Sequence, residues 1–179
     1  MNKQFTRNGI KFTVRRAKED DAEGIIAYSR IVFDNTDQVL TTPEEYDMTV
    51  VEEKLWINSG LTNQAALILI AEVNGEVVGL LDFFPKAKKK IAHTGEFGIS
   101  VHPNYQGMGI GGTMIEMLLH WALNHKQIEK VILNVLDTNT RAIKLYKELG
   151  FTEEGRQIKA VKQADGEYTD MIQMYFLTK

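Results

Sequence analysis

The feature that most restricts the fold of this chain is a cluster of glycines between a strand-like segment and an amphipathic segment with helical spacing. Four glycines occur in the six residues from Gly107 to Gly112. Glycine loses more backbone freedom on folding than any other residue, so a chemical reason for the cluster is expected. Without Cβ atoms the backbone N–H groups can converge on one point, and the N-terminus of the following helix adds unpaired donors. The segment therefore predicts a phosphate or diphosphate site, with a tight turn as the plainer alternative.

Two common phosphate-binding patterns can be compared with this segment. The P-loop requires lysine and then serine or threonine after its last glycine, but Thr113 follows directly here, so a nucleotide triphosphatase is not predicted. The dinucleotide fingerprint G-x-G-x-x-G is matched by Gly107, Gly109 and Gly112, and Asp137 could contact a ribose. However, that fingerprint belongs to repeated β-α-β units, whereas an antiparallel meander is predicted before this loop. A nucleotide-dependent oxidoreductase stays a minor alternative.

The periodicity of apolar residues predicts about seven strands and four helices. The strands are expected over residues 11–16, 65–73, 76–84, 91–101, 131–136, 151–161 and 168–176. The helices are expected over residues 20–32, 42–58, 107–125 and 139–149. The second helix is expected to begin at Thr42 with a capping box to Glu45, and to end at Gly60. Asn74-Gly75 predicts a tight hairpin between two of the strands.

This order of elements indicates the fold class. An antiparallel meander followed by a β-α-β unit requires a mixed sheet. We therefore expect an α/β (α+β) fold in a single domain over residues 1–179, with a mostly antiparallel central sheet and helices beside it.

Composition narrows the classes of partner. Lys and Arg number 21 against 24 Asp and Glu, so the net charge is −3 and nothing favours nucleic acid or an anionic membrane. The N-terminal residues lead into no apolar signal core, so a cytoplasmic protein is expected. There is no cysteine, which excludes disulfides and thiolate nucleophiles, and the four histidines show no metal-ligand spacing. We expect no metal.

Two segments resemble signatures of one family. Residues 106–111 read Gln-Gly-Met-Gly-Ile-Gly, which resembles the Gln/Arg-x-x-Gly-x-Gly/Ala loop of the GNAT family of N-acetyltransferases. Residues 139–151 are similar to the second signature of that family, in which asparagine, alanine and tyrosine lie on a helix that ends in Gly-Phe. The resemblance extends from Phe12 to about Phe176. The segments around Gly155 and Gly166 resemble the branch that acetylates amino acids, polyamines or protein N-terminal amines.

The resemblance implies the GNAT fold, with acetyl-CoA as co-substrate. In that family the strand before the loop splays from the next strand, and the pantetheine arm lies between them. Asn139 would contact the coenzyme, but could equally cap its helix. The groups implied to bind the coenzyme are Ile99, Val101, Gln106, Gly107, Met108, Gly109, Ile110, Gly111, Gly112, Asn139 and Tyr146.

The resemblance also implies two catalytic residues. Tyr146 matches the general acid that protonates the departing thiolate, although its spacing with Ala142 and Leu149 also fits a core position. Glu96 lies where family members often have an acidic residue that acts as the base, directly or through water. A structural carboxylate is the alternative for Glu96.

The acceptor is expected to be a primary amine of a small molecule or a peptide N-terminus. Residues 17–60 contain eleven acidic and three basic residues, which favours a cationic acceptor if these helices wall its pocket, or else forms two solvated helix faces. We expect direct acetyl transfer in a ternary complex. A non-catalytic acetyl-CoA-binding regulatory module is the alternative, and a homodimer is left open.

Overall fold

A computed structural model describes residues 2–179 as one sheet of eight strands with four helices. The strands are β1 (Asn2–Arg7), β2 (Ile10–Arg16), β3 (Leu67–Val73), β4 (Glu76–Pro85), β5 (Thr94–Val101), β6 (Lys130–Leu136), β7 (Thr152–Lys162) and β8 (Tyr168–Leu177). The helices are α1 (Ala22–Asp34), α2 (Val50–Thr62), α3 (Ile110–Leu123) and α4 (Thr140–Glu148). The strand order is β1-β2-β3-β4-β5-β6-β8-β7, and among these eight described strands only β5 and β6 pair in parallel. The expected mixed, mostly antiparallel sheet is confirmed.

The eighth strand, β1, is absent from the sequence-based prediction. Asn8 and Gly9 both have positive φ, 46° and 80°, and form the tight turn that returns the chain from β1 into β2. The ring of Phe5 stacks on that of Phe12 at 5.6 Å. Asn8 also donates a hydrogen bond to the carbonyl of Gly107 at 3.1 Å. The missed strand therefore supports the glycine segment.

The prediction for the second helix was wrong at both ends. The capping box at Thr42 and Glu45 forms only a short 3-10 turn, and α2 begins after a second box in which the hydroxyl of Thr49 accepts from the N–H of Glu52. The helix also continues through Gly60. A Cβ there would lie 2.5 Å from Ile68 Cδ1, so this glycine allows α2 to approach β3 closely instead of ending the helix.

Two apolar layers cover the two faces of the sheet. The larger cluster lies between the sheet and helices α3 and α4, and contains Phe83, Leu118 and Met174. The smaller cluster lies under α1 and α2, and contains Ile25 and Ile70. Among residues 2–179, no helix is both long and apolar enough to cross a membrane.

Strands β5 and β6 separate partway along their length. Their parallel pairing covers only Thr94 to Glu96 on β5 and Lys130 to Ile132 on β6. Beyond these residues β5 continues to Val101 beside β4, and β6 continues to Leu136 beside β8, but the two strands no longer pair with each other. The splay implied by the family resemblance is confirmed, and it opens a gap in the middle of the sheet.

Candidate active site

Two cavities meet at the gap between β5 and β6. The first, which we call the loop cavity, has a volume of about 470 Å³ and is bounded by the glycine segment and α4. The second, the strand cavity, has a volume of about 560 Å³ and is bounded by β4, β5 and β6. Both cavities are lined by Gln38, Val39, Ile99, Asn139 and Tyr146. A molecule in one cavity could therefore reach a molecule in the other.

The glycine segment presents backbone donors to the loop cavity. Gly107 and Gly109 have φ near +80°, which L side chains rarely adopt. The first donor inside α3 is the N–H of Thr113, which bonds the carbonyl of Gly109 at 3.1 Å. The three amides before Thr113, those of Ile110, Gly111 and Gly112, have no hydrogen-bond partner within the helix. This end of α3 is suited to an anion.

Packing does not explain the two glycines inside the first turn of α3. A Cβ at Gly111 would lie 3.5 Å from Val101, and one at Gly112 would lie 3.5 Å from Leu145, both ordinary contacts. Both glycines line the loop cavity. We therefore attribute their small size to the space that a ligand needs.

Three other predicted coenzyme residues occupy different positions. The side chain of Ile110 is buried in the core, so only its backbone can serve a ligand. Met108 is half-buried and does not line the loop cavity. Gln106 lines the cavity, and its side-chain amide donates to the carbonyl of Val101 at 3.2 Å.

Asn139 joins two roles. Its side-chain oxygen accepts from the N–H of Ala142 at 3.2 Å and caps α4. The residue also lines both cavities. The cap predicted from the sequence is confirmed, and it fixes the residue at the junction of the cavities.

Tyr146 lies at the same junction. It is 7% exposed, and its ring packs edge-on against Phe97 and Phe151. Burial raises the pKa of the Tyr146 phenol to about 12, because the phenolate would lose its hydration. The hydroxyl therefore stays protonated at neutral pH and can donate a hydrogen bond or a proton. From its spacing alone, Tyr146 could pack in the core or face a site. In the structure its ring packs in the core and the residue also lines both cavities.

Glu96 lines the strand cavity, and both of its carboxylate oxygens are engaged. Lys86 Nζ lies 2.5 Å from Oε2, and Asn134 Nδ2 donates to Oε1 at 2.8 Å. Lys86 belongs to the basic run after β4. It points back into the cavity, and its charge offsets that of Glu96.

A second carboxylate in the strand cavity was missed in the sequence analysis. Asp82 on β4 pairs in register with Gly98 on β5, and it shares the cavity with Glu96. Burial raises the pKa of the Asp82 carboxyl to about 6, and the charge of Glu96 adds to the effect. The available signal was a single acid inside the apolar run of β4.

The loop cavity also has cationic residues that were not singled out. Arg141 and Lys144 on α4 both line it. The guanidinium of Arg141 lies against the loop, since a Cβ on Gly107 would be 3.0 Å from Nη2. Arg141 and Lys144 are three residues apart on one helix, and this spacing, which places both on one face, was the signal that could have identified them.

The acids of residues 17–60 do not form the wall of either cavity. This region contributes Val32, Thr36, Gln38, Val39 and Leu40 to the two linings, and none of them is charged. The local negative charge comes from the sheet instead. Among residues 2–179, no group of three or more His, Cys, Asp or Glu side chains could hold a metal ion.

Two curated relatives cover most of the chain. The L-amino acid N-acetyltransferase of Escherichia coli K12 is 29% identical over 141 residues, which are 76% of this chain and 86% of that protein. An N-alpha-acetyltransferase of Sulfurisphaera tokodaii is 30% identical over 174 residues, 90% of this chain and 91% of that protein. Both are named as N-acetyltransferases.

Solved structures agree on the fold. A GNAT-family acetyltransferase from Streptococcus pneumoniae has a TM-score of 0.90 at 25% identity, covering 93% of this chain and 99% of that one. A protein from Salmonella typhimurium, solved with its cofactor acetyl-CoA, has a TM-score of 0.83 at 21% identity, covering 94% of each chain.

The family inferred from the two sequence signatures is confirmed. The sequence profile described as "Acetyltransferase (GNAT) family" matches residues 33–151, which include both signatures. This chain belongs to the GNAT family of acetyltransferases.

Proposed function

We propose that this protein transfers the acetyl group of acetyl-CoA directly to a primary amine. The observation that carries the proposal is the meeting of the loop cavity and the strand cavity at Tyr146, within the splay of β5 and β6. One substrate can enter from each side. Direct transfer also agrees with the lack of any cysteine for an acyl-enzyme.

The loop cavity fits the coenzyme. Backbone amides at the start of α3 can bind the diphosphate, and Arg141 and Lys144 supply positive charge for its phosphates. At Ile99 and Val101 the backbone of β5 pairs with β4 but not with β6, so its side toward the gap can hydrogen-bond the pantetheine arm as an added strand would. Asn139 lies where that arm passes from one cavity to the other.

The chemistry requires a neutral amine and a protonated leaving group. The amine nitrogen attacks the thioester carbonyl, the C–S bond breaks, and the thiolate must gain a proton. In our proposal the Tyr146 hydroxyl provides that proton and regains one from the nitrogen as the amide forms. In our proposal the proton that the acceptor ammonium loses beforehand passes to a carboxylate, directly or through water, and the strand cavity holds two, Glu96 and Asp82.

The strand cavity then receives the acceptor. Two relatives of this chain are named L-amino acid N-acetyltransferase and N-alpha-acetyltransferase. These names support a small amine or a peptide N-terminus as the acceptor. Two carboxylates against one lysine favour a cationic acceptor over an anionic one. This preference rests on the sheet residues, because the acids of residues 17–60 lie outside the lining.

The test is the release of free CoA thiol from acetyl-CoA with a panel of acceptors. The panel contains L-amino acids, spermidine and short peptides with free N-termini. We expect turnover with at least one amine, saturable in both substrates, and acetyl-CoA binding detectable by calorimetry. Binding without thiol release across the panel would favour the non-catalytic module, and the absence of binding would refute the coenzyme site.

A homodimer belongs to the same proposal. β7 is an edge strand, its side chains are almost all exposed, and Ile158 is 68% exposed. An open edge of this kind can pair with a second copy. Sedimentation of a monomer at all concentrations would exclude the dimer without affecting the catalytic proposal.

A further inference from the structure

Asp82 has the geometry of a group that meets the acceptor. It lies on the face of β4 that borders the strand cavity, directly opposite Gly98 on β5. Gly98 leaves that carboxylate open, since a Cβ there would lie 3.1 Å from Asp82 Oδ1. Any other residue at position 98 would crowd the carboxylate. The backbone itself does not require glycine there, because φ at Gly98 is not among the positive values.

Glu96 is already engaged by its neighbours. Its two oxygens accept from Lys86 and from Asn134, so neither oxygen is left without a partner for an incoming amine. The arrangement instead suits a fixed role, in which Glu96 holds Lys86 against β5 and keeps its ammonium away from the incoming amine.

The other charged and titratable groups around Asp82 favour proton transfer near neutral pH. Within residues 2–179 the strand cavity contains four such side chains: Asp82, Glu96, Lys86 and Tyr146. On the other side of Asp82, strand β3 presents the apolar Ile68. Since burial brings the pKa of Asp82 to about 6, the group is ionised at neutral pH yet close enough in pKa to accept a proton.

We propose that Asp82 is the base that accepts the proton of the acceptor ammonium, and that Glu96 and Lys86 act as positioning residues. The inference rests on the proposed function. One N–H bond of the ammonium breaks and an O–H bond forms on Asp82, which leaves a neutral amine to attack the thioester. After product release Asp82 returns the proton to water. One proton is thus released per acetyl group transferred, in balance with the conversion of an ammonium and a thioester into an amide and a thiol.

The test compares Asp82→Asn with the matched change Glu96→Gln in pH profiles of turnover. The acceptor is the amine from the panel that the wild type acetylates fastest. We expect Asp82→Asn to lower kcat about 10²- to 10⁴-fold at neutral pH. The defect should shrink about tenfold for each pH unit, up to the pKa of the free amine, because solution then supplies the neutral amine. Glu96→Gln should raise the acceptor KM more than it lowers kcat, and should show no such alkaline rescue.

The outcomes separate the two proposals. Two results would overturn the assignment of Asp82 and leave the acetyltransferase proposal intact. One is a kcat of Asp82→Asn equal to that of the active wild type, and the other is a rise of kcat at alkaline pH in Glu96→Gln but not in Asp82→Asn. No turnover of any amine by the wild type would remove both. Normal acetyl-CoA affinity of Asp82→Asn, measured by calorimetry, excludes misfolding as the cause of its defect.

A second measurement does not depend on turnover. The carboxyl carbon of Asp82, labelled with ¹³C and assigned by its loss in Asp82→Asn, should titrate near pH 6 in the free protein. Titration near the ordinary aspartate value of about 4 would overturn the inference. Gly98→Ala provides a milder variant, and we expect it to lower kcat at unchanged acetyl-CoA affinity because its methyl group crowds the carboxylate.

Discussion

Glu53 provides a test of the physical reasoning that is independent of catalysis. It lies on α2 and is 3% exposed, and its Oε1 has no hydrogen-bond partner among residues 2–179. Burial raises the pKa of the Glu53 carboxyl from 4.5 to about 7. The nearby phenol of Tyr46 has its pKa raised mainly by burial and in part by the charge of Glu53. The ionised carboxylate of Glu53 therefore lowers the free energy of unfolding of the protein.

The sign and size of this cost follow from linkage. Because the pKa is raised in the folded state, the native protein binds more protons than the unfolded chain between pH 4.5 and about 7. Stability should therefore fall as the pH rises through that window. One pKa unit corresponds to about 1.4 kcal/mol, so the ionised form costs roughly 3 kcal/mol above pH 7, with no cost below pH 4.5.

Glu53→Gln removes the charge at every pH. We expect the variant to gain roughly 2 to 3 kcal/mol in free energy of unfolding relative to the wild type between pH 5 and pH 8. Any cost of burying the amide is the same at both pH values and cancels in this difference. Urea unfolding followed by tryptophan fluorescence measures the free energy of unfolding at each pH. As a control, Glu44→Gln alters an exposed carboxylate, and its free energy of unfolding should depend on pH as that of the wild type does. Parallel profiles for Glu53→Gln would refute the argument.

Three further predictions concern the site. Tyr146→Phe should lower kcat by about 10²-fold or more with acetyl-CoA affinity within about twofold, and unchanged turnover would exclude the hydroxyl from the mechanism. Gly111→Leu should weaken acetyl-CoA binding at least about tenfold in calorimetry, because the leucine side chain enters the loop cavity. Gly109→Ala should instead lower the free energy of unfolding by about 1 to 2 kcal/mol, because alanine disfavours the positive φ at this position. Arg141→Ala should weaken acetyl-CoA binding and flatten its salt dependence, and an unaltered salt dependence would remove Arg141 from the phosphate site.

The central part of the fold could be predicted because local signals and packing agree there. Asn74-Gly75 takes positive φ at both positions and joins β3 to β4 as expected. The same type of signal at Asn8-Gly9 did not suffice to predict β1, because the residues before it are polar and exposed apart from Phe5 and show no apolar alternation. An edge strand with little buried area leaves a weak pattern in the sequence.

The end of α2 shows a different limit. Gly60 was interpreted as a helix stop, which is the common local meaning of glycine after a helical segment. Its actual role depends on Ile68, which lies on a strand and packs against it. A contact between distant residues cannot be deduced from local spacing, so tertiary packing overrides the local signal at this position.

The candidate site was predictable where a sequence motif specifies the geometry, and less so where it depends on contacts between strands. The loop, Asn139 and Tyr146 were located by motif because the motif specifies their geometry. Asp82 was missed, because an acid in an apolar run has a meaning only when the residue opposite it is known. The register places Gly98 there, and this pairing turns an irregularity of β4 into an accessible carboxylate.

One face of the sheet explains why the chemistry is placed where it is. On β3 that face carries Ile68 and Ile70, which α1 and α2 cover. On β4 and β5 the same face carries Asp82 and Glu96, beside Asn134 on β6. The change from apolar to polar residues coincides with the gap between β5 and β6. The charge that an acceptor meets is therefore set by a few residues of the sheet rather than by the acidic helices. Substitutions of the acids on those helices should alter acceptor preference far less than Glu96→Gln, and the acceptor KM values of the variants measure this difference.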